Sequence, residues 1–198
     1  ADTSIKDAEG HSSFDYATSG GLRDILDLLD SGEASDNYGN TSLHQAVYNG
    51  QAQIVNALLK QPDLKIDELN DAGESPLMLA VMNQNITIIE SLLSAGADVN
   101  QQLLNGNSML MYAADRGNVF VGKLLVKYHA RINDRNNASE SALIIAAMTG
   151  QNDFSAYLIE QEADVNAVDN AGHSALFYAS ERGYTEIVEQ LIIAGAEN

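Results

Sequence analysis

Residues 41–59 read TSLHQAVYNGQAQIVNALL, and this stretch decides the fold. Its apolar residues recur at helical spacing in two runs, which Gly50 separates: Leu43, Ala46 and Val47, then Ile54, Val55, Leu58 and Leu59. The pattern predicts two short helices joined by a tight turn. Helices of this length are marginal on their own, so one such unit must stack on copies of itself.

The same unit recurs along the whole chain. An alanine stands at 17, 46, 80, 113, 146 and 179, with successive spacings of 29, 34, 33, 33 and 33 residues. A leucine follows each alanine after twelve residues, and a glycine after four residues in all copies except one, which has Gln84. The one step of 34 residues places an extra residue near 61–65, where it lengthens a loop. A fixed period of this size indicates a repeat architecture.

The repeated segments resemble the ankyrin repeat family. The resemblance is carried by Thr41-Ser42-Leu43-His44-Gln45-Ala46, by Ser75-Pro76-Leu77-Met78-Leu79-Ala80, and by Asp-Val-Asn at 98–100 and 164–166. It implies an all-α repeat solenoid of stacked helix-turn-helix ankyrin repeats with projecting β-hairpin loops. It covers a single domain at 12–198, after a polar N-terminal tail at 1–11. The domain divides into a shortened first unit at 12–35 and repeats at about 36–69, 70–102, 103–135, 136–168 and 169–198.

Several positions depart from the family pattern or bear on its interpretation. Pro76 is the only proline in its motif slot, and His44 is the only histidine in its slot, where the resemblance implies a structural hydrogen bond to the hairpin rather than metal binding. The family usually has a polar residue where Leu103 stands, so either Leu103 or Leu104 should point outward. Tyr178 is expected to pack its ring and expose its hydroxyl.

Charge excludes some classes of partner. The 198 residues include 10 Lys and Arg against 28 Asp and Glu, a formal charge of −18, which would repel nucleic acid. Residues 1–36 hold nine acidic and two basic residues, and Asp24, Asp27 and Asp30 there suit the polar outer face of an end unit, an interpretation favoured over a docking site for a basic partner. Residues 115–135 instead carry a net charge of +3. No apolar run is long enough for membrane insertion.

No catalytic constellation appears in the sequence. It lacks a metalloprotease H-E-x-x-H motif, a G-x-S-x-G nucleophile elbow and a phosphate-binding loop, and it contains no cysteine. We therefore predict a non-catalytic scaffold, not an enzyme, with no cofactor, that binds another protein. Two alternatives stay open: a cofactor-handling accessory protein of the haem type, and an immunity-type inhibitor of a toxin or enzyme.

Partner binding is expected on the concave face, where equivalent side chains of successive repeats line up. By resemblance, that face combines hairpin tips with the ends of the first helices. Apolar and aromatic residues among them suit an interface, although the methionines could equally be partly buried. The predicted partner-binding residues are Tyr38, Tyr48, Asn49, Asp71, Glu74, Met82, Asn83, Leu104, Asp115, Arg116, Met148, Thr149, His173, Glu181 and Arg182.

The two ends of the sequence prompt two further expectations. The helix predicted at 185–194 carries Ile187, Val188, Leu191, Ile192 and Ile193 without a polar cap, so it either packs on another chain, as in self-association, or has lost a tail. The small polar start, Ala1-Asp2-Thr3-Ser4, suits signal-peptide cleavage, although a sequence trimmed for expression would begin in the same way. The chain resembles small exported ankyrin proteins of bacteria, which favours a periplasmic or otherwise exported location over the cytoplasm.

Overall fold

Ten α-helices in five consecutive pairs build residues 36–197, the part of the chain that the computed structural model describes. The first helices of the pairs are α1 (Ser42–Tyr48), α3 (Pro76–Met82), α5 (Met109–Asp115), α7 (Ala142–Thr149) and α9 (Ala175–Arg182). The second helices are α2 (Ala52–Leu58), α4 (Ile86–Ser94), α6 (Val119–Lys127), α8 (Asn152–Glu160) and α10 (Thr185–Ile193). Each pair packs on the next, so the predicted all-α repeat solenoid is confirmed. The tail at 1–11, the unit at 12–35 and its acidic residues lie outside the described residues.

The loops that project between pairs are tighter than complete β-hairpins. Within residues 36–197 the only β-pairing consists of two isolated antiparallel bridges, between Gln102 and Ser108 and between Val168 and Ser174. Backbone bonds such as Asn70 N–H to the Glu74 carbonyl (3.0 Å) and Gly73 N–H to the Asn70 carbonyl (2.9 Å) close the turns. The extra residue near 61–65 lies in the loop between α2 and α3.

Every first helix begins with a hydroxyl cap. The side chains of Thr41, Ser75, Ser108, Ser141 and Ser174 each accept a hydrogen bond from the backbone amide three residues later. This bond satisfies one of the amides that a helix start leaves without a partner. A proline in the neighbouring slot, present only as Pro76, is therefore not required for these helices to start.

The turn between the two helices of a pair needs a left-handed backbone conformation. Gly150 and Gly183 adopt it with φ of +74°, a conformation that costs glycine little because it has no Cβ. Gln84, the exception in the sequence pattern, adopts φ of +54° despite its side chain. Its Oε1 accepts a hydrogen bond from Asn118 Nδ2 at 3.0 Å, which ties this turn to the next repeat.

The repeated alanines and leucines form one continuous core. The alanines at 46, 80, 113, 146 and 179 and the leucines at 58, 92, 125, 158 and 191 are all buried. Two core residues from consecutive repeats, Gly122 and Phe154, have complementary sizes. A Cβ placed on Gly122 of α6 would lie 2.6 Å from Cζ of Phe154 on α8, whose ring is completely buried.

His44 is buried and uses both ring nitrogens. Nε2 donates to the Glu74 carbonyl at 3.0 Å, which confirms the predicted bond to the hairpin. A carbonyl can only accept, so Nε2 carries the hydrogen and Nδ1 is the free acceptor for the Thr41 amide at 3.1 Å. Met78 and Met111 occupy the same slot in the next two repeats, and their sulfur atoms accept from Ser75 N–H (3.4 Å) and Ser108 N–H (3.3 Å).

Acid is expected to destabilise the protein through His44. Burial lowers the pKa of His44 below its usual 6.5 and outweighs the nearby Glu74, which acts to raise it. The unfolded chain therefore binds a proton near pH 6.5 that the folded chain refuses. The stabilisation is complete above pH 6.5 and is lost as the pH falls from there through the folded-state pKa. Urea unfolding at pH 8 and pH 5 should show a larger loss in the wild type than in His44→Gln, and parallel losses would contradict the role of His44.

Candidate protein-binding surface

Three large side chains stand out from the hairpin tips and first-helix ends. Tyr38 is 73% exposed, Tyr48 at the end of α1 is 72% exposed, and Leu104 at the third tip is 80% exposed. Covering such apolar surface is favourable, and tyrosine is enriched among the residues that dominate binding energies at interfaces. All three are among the predicted binding residues.

A half-buried apolar row runs along the first helices beside these tips. Met82 and Met148 pack partly on the core and keep part of their surface exposed, so they contribute to both packing and surface. Tyr112 and Ile145 share this arrangement, although neither is among the binding residues predicted from the sequence. The sequence could have indicated both residues, because each is an apolar residue on a first helix at a position that does not belong to the repeating alanine and leucine pattern.

A shallow groove between α5 and α7 brings part of the predicted site together. It contains the predicted residues Asp115, Arg116, Met148 and Thr149, together with residues from both helices and two hairpins. The lining consists of Asn107, Met111, Tyr112, Asp115, Arg116, Glu140, Ile145, Met148 and Thr149. The groove thus combines an apolar floor with both signs of charge at its rim.

Some predicted binding residues are engaged within the protein. The Arg182 guanidinium donates to the Met148 carbonyl at 2.5 Å, and the Thr149 hydroxyl donates to the Ile145 carbonyl at 2.9 Å. Glu74 accepts from Asn70 Nδ2 at 3.1 Å. Thr149 is the one of these three that lines the groove. Arg182 is exposed, as are Asn49, Asp71, Asn83, Asp115, Arg116 and Glu181.

Most hairpin turns are held by an Asp or Asn side chain at their first position. One side-chain oxygen of Asp36, Asn70, Asn136 or Asp169 accepts from two backbone amides, two and four residues later, at 2.8–3.0 Å. Leu103 occupies this position in the third hairpin and has no oxygen to offer. That turn instead uses Asn105, whose Oδ1 accepts from Asn107 N–H at 3.0 Å.

Neighbouring hairpins are joined by backbone bonds with one interruption. Asp71 N–H donates to the Tyr38 carbonyl at 3.0 Å, and Asn137 and Asn170 donate in the same way to the hairpins before them. No equivalent bond joins Leu104 to Ala72, both of which the structure describes. The Leu104 side chain lies over Gly73 instead, where a Cβ would approach its Cγ to 3.0 Å. Leu103 is half-buried and Leu104 exposed, so the prediction that one of them points outward is confirmed.

The last hairpin contains a small cluster of bonded aromatic residues. The Tyr178 hydroxyl, which was expected to be exposed, donates to Asp169 Oδ2 at 2.5 Å. This bond, together with burial, raises the pKa of Tyr178 to about 12. Burial acts to raise the pKa of Asp169, but hydrogen bonds from Tyr178 and from the His173 and Ala171 amides outweigh it and lower that pKa. His173 is half-buried, with its ring stacked on Phe177.

The basic segment at 115–135 lies mainly outside the groove. Lys123 lies over the Tyr157 ring, and Lys127 lies over the Tyr128 ring, each with Nζ 5.5 Å from the centroid. Arg135 donates to the Val168 carbonyl at 2.8 Å. Of the five basic residues in this segment, only Arg116 lines the groove.

Residues 36–197 contain neither a helix long and apolar enough to cross a membrane nor a group of three side chains suited to a metal ion.

In α10, Ile187 and Leu191 are buried, while Ile192 (58%) and Ile193 (87%) are exposed. The apolar pattern of this helix therefore serves the core in part.

Family models described as ankyrin repeats match most of the chain. A model of three ankyrin repeats matches residues 61–136 and 110–198, and a single-repeat model matches residues 38–70.

Similar curated proteins come from eukaryotes. The nuclear factor NF-kappa-B p105 subunit of Gallus gallus is 34% identical over 100 residues, which cover 48% of this chain and 10% of that protein. An ankyrin repeat-containing protein of Schizosaccharomyces pombe is 38% identical over 63 residues, covering 31% of this chain and 27% of that protein. The B-cell lymphoma 3 protein homolog of Mus musculus is 36% identical over 91 residues, covering 43% and 20%. The chain thus spans about a quarter or less of each relative, and its bacterial source stays a prediction.

Proposed function

Because the chain belongs to the ankyrin repeat family, we propose that it is a non-catalytic scaffold that binds a partner protein across its hairpin tips and first-helix ends. Ankyrin repeats are generally protein-protein interaction modules, and the family is typically non-enzymatic. The partner-binding residues proposed for this chain are the exposed Tyr38, Tyr48 and Leu104, together with the groove between α5 and α7 further along the stack.

The exposure of Tyr48 and Leu104 carries this proposal. Both side chains are more than 70% exposed on elements whose turns and caps are otherwise closed by internal hydrogen bonds. A rigid support lowers the ordering cost when such side chains are buried by a partner. The half-buried Met82 and Met148 add apolar surface that adapts to the shape of what covers it.

Electrostatics favours a partner whose contact surface is not strongly acidic. The chain carries a net charge of −18, and the exposed hairpin and helix-end residues include Asp71, Asp115 and Glu181. Long-range attraction therefore speeds the approach of a basic surface and slows that of an acidic one. The apolar residues supply most of the affinity, because exposed charges contribute little once salt screens them.

The test is affinity capture from an extract of the source organism with the wild type and Tyr48→Ala/Leu104→Ser. We expect the double variant to bind the captured partner about tenfold or more weakly, because interface side chains of this kind often contribute over 1 kcal/mol each. Its free energy of unfolding should change by less than about 0.5 kcal/mol, since both side chains are exposed.

A matched control uses an aromatic residue on another face. Phe120 on α6 is 78% exposed, so Phe120→Ala removes an exposed aromatic side chain comparable to Tyr48 without touching the tips or first helices. Equal loss of binding in Phe120→Ala and the double variant, or no loss in the double variant, would refute the proposed surface. Met82 is not substituted, because its side chain is half-buried and its removal would change stability as well as binding.

A further inference from the structure

In two repeats, the acid at the first position of the hairpin accepts a hydrogen bond from a side chain of the following first helix. Gln45 Nε2 donates to Asp36 Oδ2 at 3.5 Å, and the Tyr178 hydroxyl donates to Asp169 Oδ2 at 2.5 Å, each across nine residues. The hairpins that begin with asparagine have an apolar residue at the donor position and need no such bond: Leu79 after Asn70, and Ile145 after Asn136.

The third repeat has the donor without the acid. Tyr112 is the equivalent of Tyr178, but its hairpin begins with Leu103, which has no oxygen to accept the hydrogen. The Tyr112 hydroxyl donates to no atom of residues 36–197, and it is not sealed from solvent. Leu103 therefore leaves this hydroxyl available for a bond outside the chain.

A second side chain of the third repeat lacks its acceptor for the same reason. In the first repeat, Asn40 Nδ2 also donates to Asp36 Oδ2, at 3.2 Å. Asn107 is the equivalent of Asn40, and its Oδ1 accepts from Asn136 Nδ2 at 2.8 Å. The orientation of the Asn107 amide is fixed by this bond, because Asn136 Oδ1 already accepts from two backbone amides. Asn107 Nδ2 is thus a donor, and it too donates to no atom of the described residues.

Both donors line the groove between α5 and α7. Asn107 and Tyr112, the donor pair of this groove, lie beside its apolar residues Ile145 and Met148. The equivalent donors of the first repeat converge on one oxygen atom, so the donor pair faces a common point at the hairpin end of the groove. Polar groups that are covered without a partner are costly, so a protein segment that covers this groove has to bring an acceptor.

We propose that the donor pair binds an uncharged carbonyl oxygen of the partner protein, next to an apolar side chain that covers Ile145 and Met148. This inference rests on the proposed function, because the groove is part of the proposed surface. The acceptor is uncharged because Asp115 and Glu140 line the groove against a single Arg116, so a carboxylate would meet a net negative charge. A main-chain carbonyl lies next to every side chain, so one short segment of the partner provides both contacts.

The test is titration with acetyl-Gly-Leu-Gly-amide, followed by NMR of isotope-labelled methionine methyl groups. Met148 lines the groove and Met82 does not, so the methyl signal of Met148 should shift and that of Met82 should stay. Tyr112→Phe removes only the hydroxyl and should weaken binding about fivefold, as expected for one neutral hydrogen bond. Leu103→Asp returns an internal acceptor to the donor pair and should weaken binding at least as much. The same peptide with a free carboxylate should bind more weakly than the amide.

Three variants serve as matched controls. Tyr178→Phe removes a hydroxyl that is already bonded within its own repeat, Tyr48→Ala removes a side chain outside the groove, and Leu103→Met keeps the hairpin position apolar. Each should change the affinity for the peptide by less than about twofold. An unmoved Met148 signal, wild-type affinity in Tyr112→Phe, equal losses in the two Leu103 variants, or tighter binding of the carboxylate form would overturn the inference. None of these results would refute the proposed function, whose own test uses other side chains.

Discussion

Gly122→Ile is expected to lower the free energy of unfolding by about 3 kcal/mol, the upper end of what overpacking a core usually costs. Any Cβ at residue 122 would lie 2.6 Å from the Phe154 ring, which has no free space to move into because it is completely buried. Replacing glycine within a helix gains about 0.5–1 kcal/mol of helix propensity, which is too little to offset this clash. Urea unfolding followed by circular dichroism measures the loss.

The second substitution of the pair should restore most of that stability. The preceding repeats carry Ile89 and Val121 at the positions equivalent to Gly122 and Phe154. Phe154→Val alone should cost about 2–4 kcal/mol, because it leaves a cavity over Gly122. Gly122→Ile/Phe154→Val fills that cavity and should be more stable than either single variant. Additive losses in the double-mutant cycle would show that the two residues do not share one space.

Asn136→Leu is expected to cost about 2 kcal/mol, as several hydrogen bonds worth roughly 0.5–1.5 kcal/mol each are lost at a half-buried site. Asn136 Oδ1 accepts from the Ala138 and Glu140 amides, both at 2.9 Å. Its Nδ2 donates to Asn107 Oδ1 at 2.8 Å and to Glu140 Oε2 at 2.7 Å. The substitution copies into the fourth hairpin the residue that the third hairpin has at Leu103. Thermal unfolding gives the magnitude.

The reverse exchange is the matched control. Leu103→Asn supplies the third hairpin with the missing acceptor and should raise the free energy of unfolding by about 0.5 kcal/mol, because the new hydrogen bonds outweigh a half-buried leucine. If Asn136→Leu changes stability by less than this gain, or if Leu103→Asn destabilises as much as Asn136→Leu, the Asn or Asp side chain is not what secures these turns.

The fold could be predicted because its determinants are local and periodic. Ala46, Leu58 and Gly50 each fill a role that recurs in every repeat, so the sequence displays the packing rule several times. The fit between Gly122 and Phe154 was missed because neither residue looks unusual until the two are placed in register, 32 positions apart. The bond from the Tyr178 hydroxyl was missed for a similar reason, since its acceptor Asp169 lies in the turn before its helix.

The positions of the surface residues could be predicted from the sequence, but their hydrogen bonds within the protein could not. Helix ends and hairpin tips follow from the repeat, and Tyr48 and Leu104 are exposed there as expected. Arg182 is exposed, and its bond to the Met148 carbonyl, a backbone atom 34 residues away, is one that no side-chain pattern reveals. Leu103 could be recognised from the sequence. It is an apolar residue at a position that is usually polar, and it marks the hairpin whose turn is closed by a different side chain.

No backbone hydrogen bond joins the second hairpin to the third, so the row of tips consists of two sections that are each linked internally by such bonds. Tyr38 and Asp71 are joined on one side, and Asn105, Asn137 and Asn170 are joined through their hairpins on the other. At the tips the Leu104 side chain rests on Gly73 across this gap, whereas hydrogen bonds from Asn118 to Gln84 and from the Arg131 amide to Asn100 join the same two repeats further back. These two repeats are therefore joined through their inter-helix turns and second helices rather than through a backbone bond between their hairpins.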